Sequence, residues 1–226
     1  MTKINQPLHE IIKQRRSVRG YKPDIIDDKT LEDIFTLAQQ SPSNCNVQPW
    51  GVLLATGNAC DRIRQQLTQH FMAAKPMNPD FEGLPKFEGK MRERQVECAQ
   101  ALYGAMDIER KDHAGRMRAT ARNYAFFDAP HIAFITMEKR FSPAIAVDVG
   151  MYAQTLMLAM ESHGIASCAQ ASVAYYPDLV REFFGVDSDM GILLGISFGY
   201  EDSNVPANKA RTTRAPLDEI ITHKRD

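Results

Sequence analysis

The chain has 226 residues, which is long enough for one domain with a hydrophobic core that needs neither disulfides nor a structural metal. Its 27 basic and 28 acidic residues give a net charge of −1, which argues against partners such as nucleic acid or a membrane. The four cysteines form no CxxC pair, and we see no signal peptide or long apolar run. We therefore expect a cytoplasmic protein without a metal site.

Apolar residues at helical spacing predict three helices in the first third of the chain. The first runs from about Pro7 to Ser17, the second from the Asp27-Asp28 cap to Ser41-Pro42, and the third begins at Asn58. Trp50 to Thr56 has the pattern of a buried strand.

The stretch from Lys75 to Gly89 is rich in proline and glycine. It carries two phenylalanines, Phe81 and Phe87, whose setting suggests exposure. Long segments of this kind without secondary structure often serve as active-site lids. We predict a mobile insertion at residues 75–89.

The rest of the chain alternates helices with strands. Helical patterns cover Lys90 to Asn123 with a break near His113, Pro143 to His163, and Pro177 to Phe184. Strand patterns cover His131 to Met137, Ile165 to Ala171, and Met190 to Gly199. The helix that starts at Pro143 is apolar nearly all round, so we expect it to be buried on all sides. Strands separated by helices predict a single α+β domain, a mixed α/β sandwich, and residues 200–226 read as a polar C-terminal arm.

The most basic segment is Arg15-Arg16-Ser17-Val18-Arg19. Leu8, Ile12 and Arg15 share one face of the predicted helix, so Arg15 continues an apolar stripe. A guanidinium aimed at a core needs an anion, and a phosphate suits its fork geometry. Equally, these cations could simply favour the C-terminus of the helix. The pentapeptide alone does not decide between the two.

Three further segments combine residue types suited to a ligand. The loop SPSNCNVQPW from Ser41 to Trp50 offers amides that can meet both edges of a heterocycle, although part of it is an ordinary turn. The small residues of GIASCAQA, Gly164 to Ala171, would let a backbone approach a flat ring, or would simply make a tight connection. Asn208-Lys209-Ala210-Arg211, followed by Arg214, could clamp a phosphate or be a solvated tail.

Taken together and in this order, these segments resemble the FMN-dependent nitroreductase family over residues 7 to 215. The resemblance implies a nitroreductase-like fold, in which a central, mainly antiparallel sheet is flanked by helices and two chains form an intertwined homodimer. It also implies that FMN binds at the subunit interface. The cofactor-binding residues that it implies are Arg15, Arg16, Ser17, Arg19, Pro42, Ser43, Asn44, Asn46, Gln48, Ala169, Gln170, Ala171, Lys209 and Arg211.

Within that set, the resemblance implies a division of labour. The arginine segment would contact the FMN phosphate, ribityl chain and pyrimidine edge, with Lys209 and Arg211 closing on the phosphate. Pro42, Ser43 and Asn44 would come from the other subunit, and Ala169 to Ala171 would line the N5 and O4 edge. The chain departs from many relatives at Asn44-Cys45 and at Ala169, which puts substrate identity in question.

The implied activity is reduction of nitroaromatics, quinones or similar electron-poor small molecules by ping-pong hydride transfer from NADH or NADPH. The flavin carries the chemistry, so no catalytic side chain is expected. The chain has no GxGxxG motif, so the nicotinamide is expected to stack on the flavin. A reductive dehalogenase or another flavin enzyme of the same fold is the alternative, and a non-catalytic flavin-binding module is a further one.

A hydrolase is the rival from a different class. Gly195-Ile196-Ser197-Phe198-Gly199 matches GxSxG, and Asp218 and His223 follow in the order of a catalytic triad. A nucleophile elbow must lead from a strand directly into a helix, whereas residues 200–206 read as a loop. This context argues against a serine hydrolase, and activity measurements on Ser197→Ala test the alternative.

Overall fold

The computed structural model describes residues 6–83 and 85–225. Its four strands are β1 (Gly51–Thr56), β2 (His131–Glu138), β3 (Ala166–Gln170) and β4 (Met190–Gly199). They form one sheet in the order β1-β2-β4-β3, and every neighbouring pair is antiparallel. The predicted antiparallel sheet is confirmed, and the four predicted strands match to within one residue at each end.

Seven α-helices surround the sheet in the part of the chain that the structure describes. They are α1 (Leu8–Gln14), α2 (Asp28–Ala38), α3 (Gly57–Met72), α4 (Gly89–Ala105), α5 (His113–Tyr124), α6 (Pro143–Ser162) and α7 (Pro177–Phe184). The expected break near His113 is the gap between α4 and α5.

Helices cover both faces of the sheet, which explains why β2 is apolar along its whole length. Ile132 and Phe134 point to the layer that contains α3, α5 and α7, whereas Ala133 and Ile135 point to the layer that contains α2 and α6. All four side chains are fully buried.

The first helix ends earlier than the sequence predicts. It stops at Gln14, and Arg15 is extended with ψ 124°. The reason is tertiary: Ser17 forms a parallel bridge with Ser167, and the Val18 amide donates to the Ser167 carbonyl at 3.0 Å. Pairing with the free edge of β3 thus overrides helical continuation. The expectation that the Leu8–Ile12 face points at the core of the chain is also wrong, because these two side chains are 64% and 51% exposed.

Helix α6 is long and apolar enough to cross a membrane by length and composition alone, but it packs as the core helix against α2 and the sheet. It is not buried on all sides in the single chain. Ala144, Val147, Gly150 and Gln154 are exposed, and their spacing places them on one face. That face lacks a partner within the described chain.

Part of the insertion contacts the rest of the chain. Asp80 accepts hydrogen bonds from Arg181 at 2.6 Å and from the Ile192 amide at 2.9 Å, and it pairs with Lys139 at 3.1 Å. Phe81 packs against the α2–α6 core layer, so its predicted exposure is wrong. These contacts hold the insertion at Asp80 and Phe81, and Leu84 lies outside the described residues.

Candidate active site

A cavity of about 830 Å³ lies beside the free edge of β3. Its floor is the segment from Arg15 to Arg19, which the sheet edge holds in an extended conformation. The Tyr21 hydroxyl fixes this segment by donating to the Val18 and Ser197 carbonyls at 2.8 and 3.1 Å. Residues Ala210 to Thr212 and Arg214 form the opposite wall, with Cys98 and Leu102 of α4.

The lining of this cavity is strongly basic. Two carboxylates, Glu161 and Glu201, face six cationic side chains. The cations are Lys13, Arg15, Arg16, Arg19, Arg211 and Arg214. Such an excess of positive charge in one concavity favours an anionic ligand.

Arg16 shows where that anion is needed. Its Nη2 pairs with both carboxylate oxygens of Glu201, but Nη1 is buried and has no hydrogen-bond partner among the described residues. A buried guanidinium donor without an acceptor is costly, and a phosphate oxygen would satisfy it.

The pKa of the second carboxyl group in the cavity, that of Glu161, is set by opposing effects. Burial raises the pKa of Glu161 above its ordinary value and the charge on Glu201 raises it further, whereas Arg16 and Arg15 oppose the rise. A carboxyl group with a raised pKa takes up a proton more readily. In its neutral form it does not repel a phosphate dianion nearby.

The edge of β3 directs backbone groups away from the sheet. The Ser167 carbonyl faces the arginine segment, and backbone groups alternate in direction along a strand, so those of Ala169 point to the same open side. Ala169 and Ala171 are exposed. Gln170 is 3% exposed, donates to the Asn123 carbonyl at 2.8 Å, and therefore acts as an anchor for this edge.

The polar loop before β1 lies elsewhere. The Asn44 amide donates to Asp148 at 3.0 Å, and Trp50 stacks on Tyr152 at a centroid distance of 4.9 Å. Asp148 lies 13 positions before Glu161 on α6, a separation of about 20 Å at 1.5 Å per residue. The structure therefore does not bring this loop and the arginine cavity together within one chain.

The loop is held in an unusual backbone conformation. Cys45, Asn46 and Gln48 have positive φ angles of 49°, 56° and 47°. Ser43 braces it, since its hydroxyl accepts from the Gln48 amide at 2.9 Å. Left-handed residues other than glycine cost free energy and cluster at functional sites. Pro42, Asn44, Asn46 and Gln48 are all exposed.

The C-terminal residues divide between the cavity and solvent. Arg211 and Arg214 both line the cavity. Lys209 is exposed on the turn Pro206–Lys209 and is not part of the lining. Sequence reasoning did not single out Glu161 or Glu201, and it named Asn208 only as a member of the segment Asn208-Lys209-Ala210-Arg211.

Comparison with known proteins now decides the family, because the Nitroreductase family profile matches residues 12–200. The chain belongs to the nitroreductase family. It is 40% identical to "Nitroreductase NfnB" of Mycolicibacterium smegmatis, over 98% of this chain and 94% of that protein. It is 32% identical to a 4-nitrobenzoate reductase of Pseudomonas putida, over 99% and 97% of the two chains.

Solved structures agree. The crystal structure of the FMN-dependent nitroreductase NfnB from Mycobacterium smegmatis with NADPH matches with a TM-score of 0.92 and 38% identity, covering 96% of this chain and 97% of that one. The FMN- and NADPH-dependent nitroreductase NfnB from sphigopyxis sp. strain HMH matches with a TM-score of 0.94 and 30% identity, covering 98% of this chain and 100% of that one.

The geometry excludes the serine hydrolase. Ser197 is fully buried in the middle of the sheet, and the chain after Gly199 continues into a loop instead of a helix. Asp218 and His223 are exposed in the C-terminal arm. A nucleophile must reach its substrate, and Ser197 cannot.

Proposed function

We propose that this protein is an FMN-dependent NAD(P)H oxidoreductase of the nitroreductase type, which reduces nitroaromatics, quinones or similar electron-poor small molecules. The observation that carries the proposal is the basic cavity at the β3 edge, where the buried Arg16 Nη1 lacks an acceptor. A phosphate monoester is the anion of FMN that would fill this need.

The residues present fit FMN in three places. Arg15, Arg16, Arg19 and Arg211 would hold the phosphate and the polar chain that follows it, joined by Arg214. The backbone groups of Ala169, which point to the open side of the edge strand, would meet the edge of the flavin ring. Ser17, at the sheet edge between these two sites, would contact the region where they join.

Bound FMN would accept hydride from NADH or NADPH and pass it to the acceptor. The protein's contribution is binding, orientation and electrostatics. Since the sequence has no GxGxxG motif, donor and acceptor would use the same open face in turn, which predicts ping-pong kinetics.

We further propose a homodimer in which the polar loop of one chain completes the cavity of its partner. The separation of about 20 Å along α6 supports this arrangement, because one chain cannot close the site alone. The exposed face of α6 at Val147, 63% exposed, and the exposed Leu8 and Ile12 of α1 provide apolar surface for the contact.

We place this enzyme in the cytoplasm as a soluble protein acting on small molecules, without nucleic-acid or membrane partners. Its four cysteines are free thiols, which suit a reducing compartment.

The test is the optical and redox behaviour of the purified protein. It should be yellow, release FMN and not FAD on denaturation, and bleach on mixing with NADPH or NADH. Addition of 4-nitrobenzoate or a quinone should restore the colour. A protein that neither contains nor takes up FMN contradicts the proposal, and one whose flavin stays oxidised with both donors is a binding module.

A further inference from the structure

Asn208 is buried between the two halves of the basic cavity, at 3% exposure. Its Oδ1 accepts from the Arg19 amide at 2.6 Å, and its Nδ2 donates to the Gly20 and Asp202 carbonyls at 2.8 and 2.9 Å. One donor and two acceptors in the surroundings fix which way the side-chain amide points.

The backbone of the same residue holds the opposite wall. The Asn208 carbonyl accepts from Nη1 of Arg211 at 2.7 Å. The side chain of Asn208 therefore fixes the backbone at Arg19, while its main chain fixes the guanidinium of Arg211. Both arginines line the cavity.

We propose that Asn208 is a positioning residue for cofactor binding, which sets the spacing between Arg19 and Arg211. The inference rests on the proposed function, because it concerns the same FMN site. A phosphate is recognised only when its cations stand at a fixed separation, so the loss of this link weakens FMN binding even when the fold survives.

The substitution Asn208→Asp gives the sharpest test, because it keeps the shape and exchanges the amide for a carboxyl. The ionised carboxylate still accepts from the Arg19 amide but faces the Gly20 and Asp202 carbonyls without a proton. A protonated carboxyl regains one donor. Binding should therefore be weak at high pH and recover in part at low pH.

The experiment titrates apoprotein with FMN and follows the quenching of flavin fluorescence at about pH 8 and about pH 5. At the higher pH the Kd of N208D should be roughly tenfold to a hundredfold above wild type, the range for losing two buried hydrogen bonds. The ratio of the Kd of N208D to that of wild type should fall at least about threefold at the lower pH. Taking this ratio at each pH also corrects for titration of the FMN phosphate, which affects both proteins. N208A should be weak at both pH values.

Asn204→Asp is the matched control. Asn204 is exposed on the same loop, and its substitution adds the same charge without changing the side chain that connects Arg19 to Arg211. Its Kd should stay within about twofold of wild type. Urea unfolding of each apoprotein separates stability from affinity, because a merely structural role lowers stability without changing the Kd of the folded protein. If N208A does not fold, N208S, which keeps a small acceptor, takes its place.

The inference would be overturned if folded N208D and N208A bound FMN with wild-type Kd values. It would also be overturned if the ratio of the Kd of N208D to that of wild type did not change with pH. Wild-type protein without FMN affinity would overturn the proposed function and this inference together. Tight wild-type binding with unaffected variants would overturn the role of Asn208 alone.

Discussion

Arg16 has one nitrogen paired with Glu201 and one buried nitrogen with no acceptor among the described residues. Arg16→Ala should weaken FMN binding by roughly 1–3 kcal/mol, the range for a lost charge-assisted hydrogen bond. The value should fall toward the upper end, because Glu201 stays in the cavity and repels the phosphate. Equilibrium titration with FMN measures the effect.

The control for Arg16→Ala is Arg118→Ala, since the Arg118 side chain is 75% exposed and lies outside the cavity. It should leave the Kd for FMN unchanged. Equal weakening in both variants would mean that overall charge, not the cavity, attracts the cofactor.

His131 gives the fold a pH dependence of its own. The imidazole is fully buried and its Nε2 accepts from the Ile26 amide at 3.0 Å. Burial lowers the pKa of His131 to about 4 from an ordinary 6.5. The unfolded chain therefore binds a proton that the folded chain resists, so stability is full above about pH 6.5 and declines as the pH falls toward 4.

Between pH 7 and pH 5 the loss should be about 2 kcal/mol at most for this one group. Urea unfolding at the two pH values measures it. His131→Gln, whose side-chain oxygen can accept the same amide hydrogen, should show a flatter dependence. Identical slopes in the variant and in wild type would assign the pH dependence to other groups.

Some site residues could be predicted from sequence and others could not. Arg15 to Arg19 and Arg211 stand in motifs whose chemistry shows locally. Asn208 and Glu201 act through contacts about 190 positions away along the chain, with Arg19 and Arg16, and no local pattern encodes such pairs. Lys209 and Arg211 belong to the same motif, but the turn directs the Lys209 side chain to solvent.

At the scale of elements, the anchor of the insertion is a buried ion pair. Although burial raises the pKa of the Asp80 carboxyl, hydrogen bonds from Arg181, the Ile192 amide and Lys139 lower it more, so the pKa lies below its ordinary value. Asp80→Asn should cost about 3 kcal/mol of folding free energy, because it leaves Arg181 buried with its charge poorly paired. Urea unfolding measures the cost.

Asp178→Asn is the matched control, since Asp178 also contacts Arg181 but its side chain is 73% exposed. It should cost less than about 1 kcal/mol. A similar cost for both variants would show that residues 75–83 are not held by Asp80.

We predict that the second half of the insertion acts as a lid over the active site. Phe87 lines an apolar groove on α4 with Met91, Leu102 and Tyr103. Phe87→Ala should change the ratio of kcat/KM between aromatic and small aliphatic acceptors, while the Kd for FMN stays nearly constant. Loss of FMN with Phe87 would make the segment structural.

The elements themselves were largely predictable, because apolar periodicity reports which faces are buried. The errors arose where a distant contact decides. The position at which α1 ends depends on the pairing of the following segment with β3. The position of Phe81 depends on the ion pairs that the neighbouring Asp80 forms. Neither partner lies near enough in sequence to leave a local signal.

For the whole molecule, the arm after Glu201 links the cavity to α4. It supplies Arg211 and Arg214 to the cavity, and Glu219 binds Arg94 and Lys90 at 2.8 and 3.1 Å. We predict that truncation after Glu201 weakens the dimer and releases FMN together, because a ligand that binds only the assembled state also stabilises it. Truncation after Arg214 keeps the cavity arginines and should retain FMN. Loss of FMN in both would assign the effect to the contact between α4 and Glu219.

Sedimentation velocity with simultaneous detection of protein and visible flavin absorbance tests whether two chains together build the FMN site. We expect a single species with the mass of a dimer, carrying one FMN per chain, and we expect the flavin to dissociate when dilution separates the dimer. A monomer that sediments with a full complement of FMN would contradict it, because the loop from Pro42 to Gln48 would then not be needed from a partner.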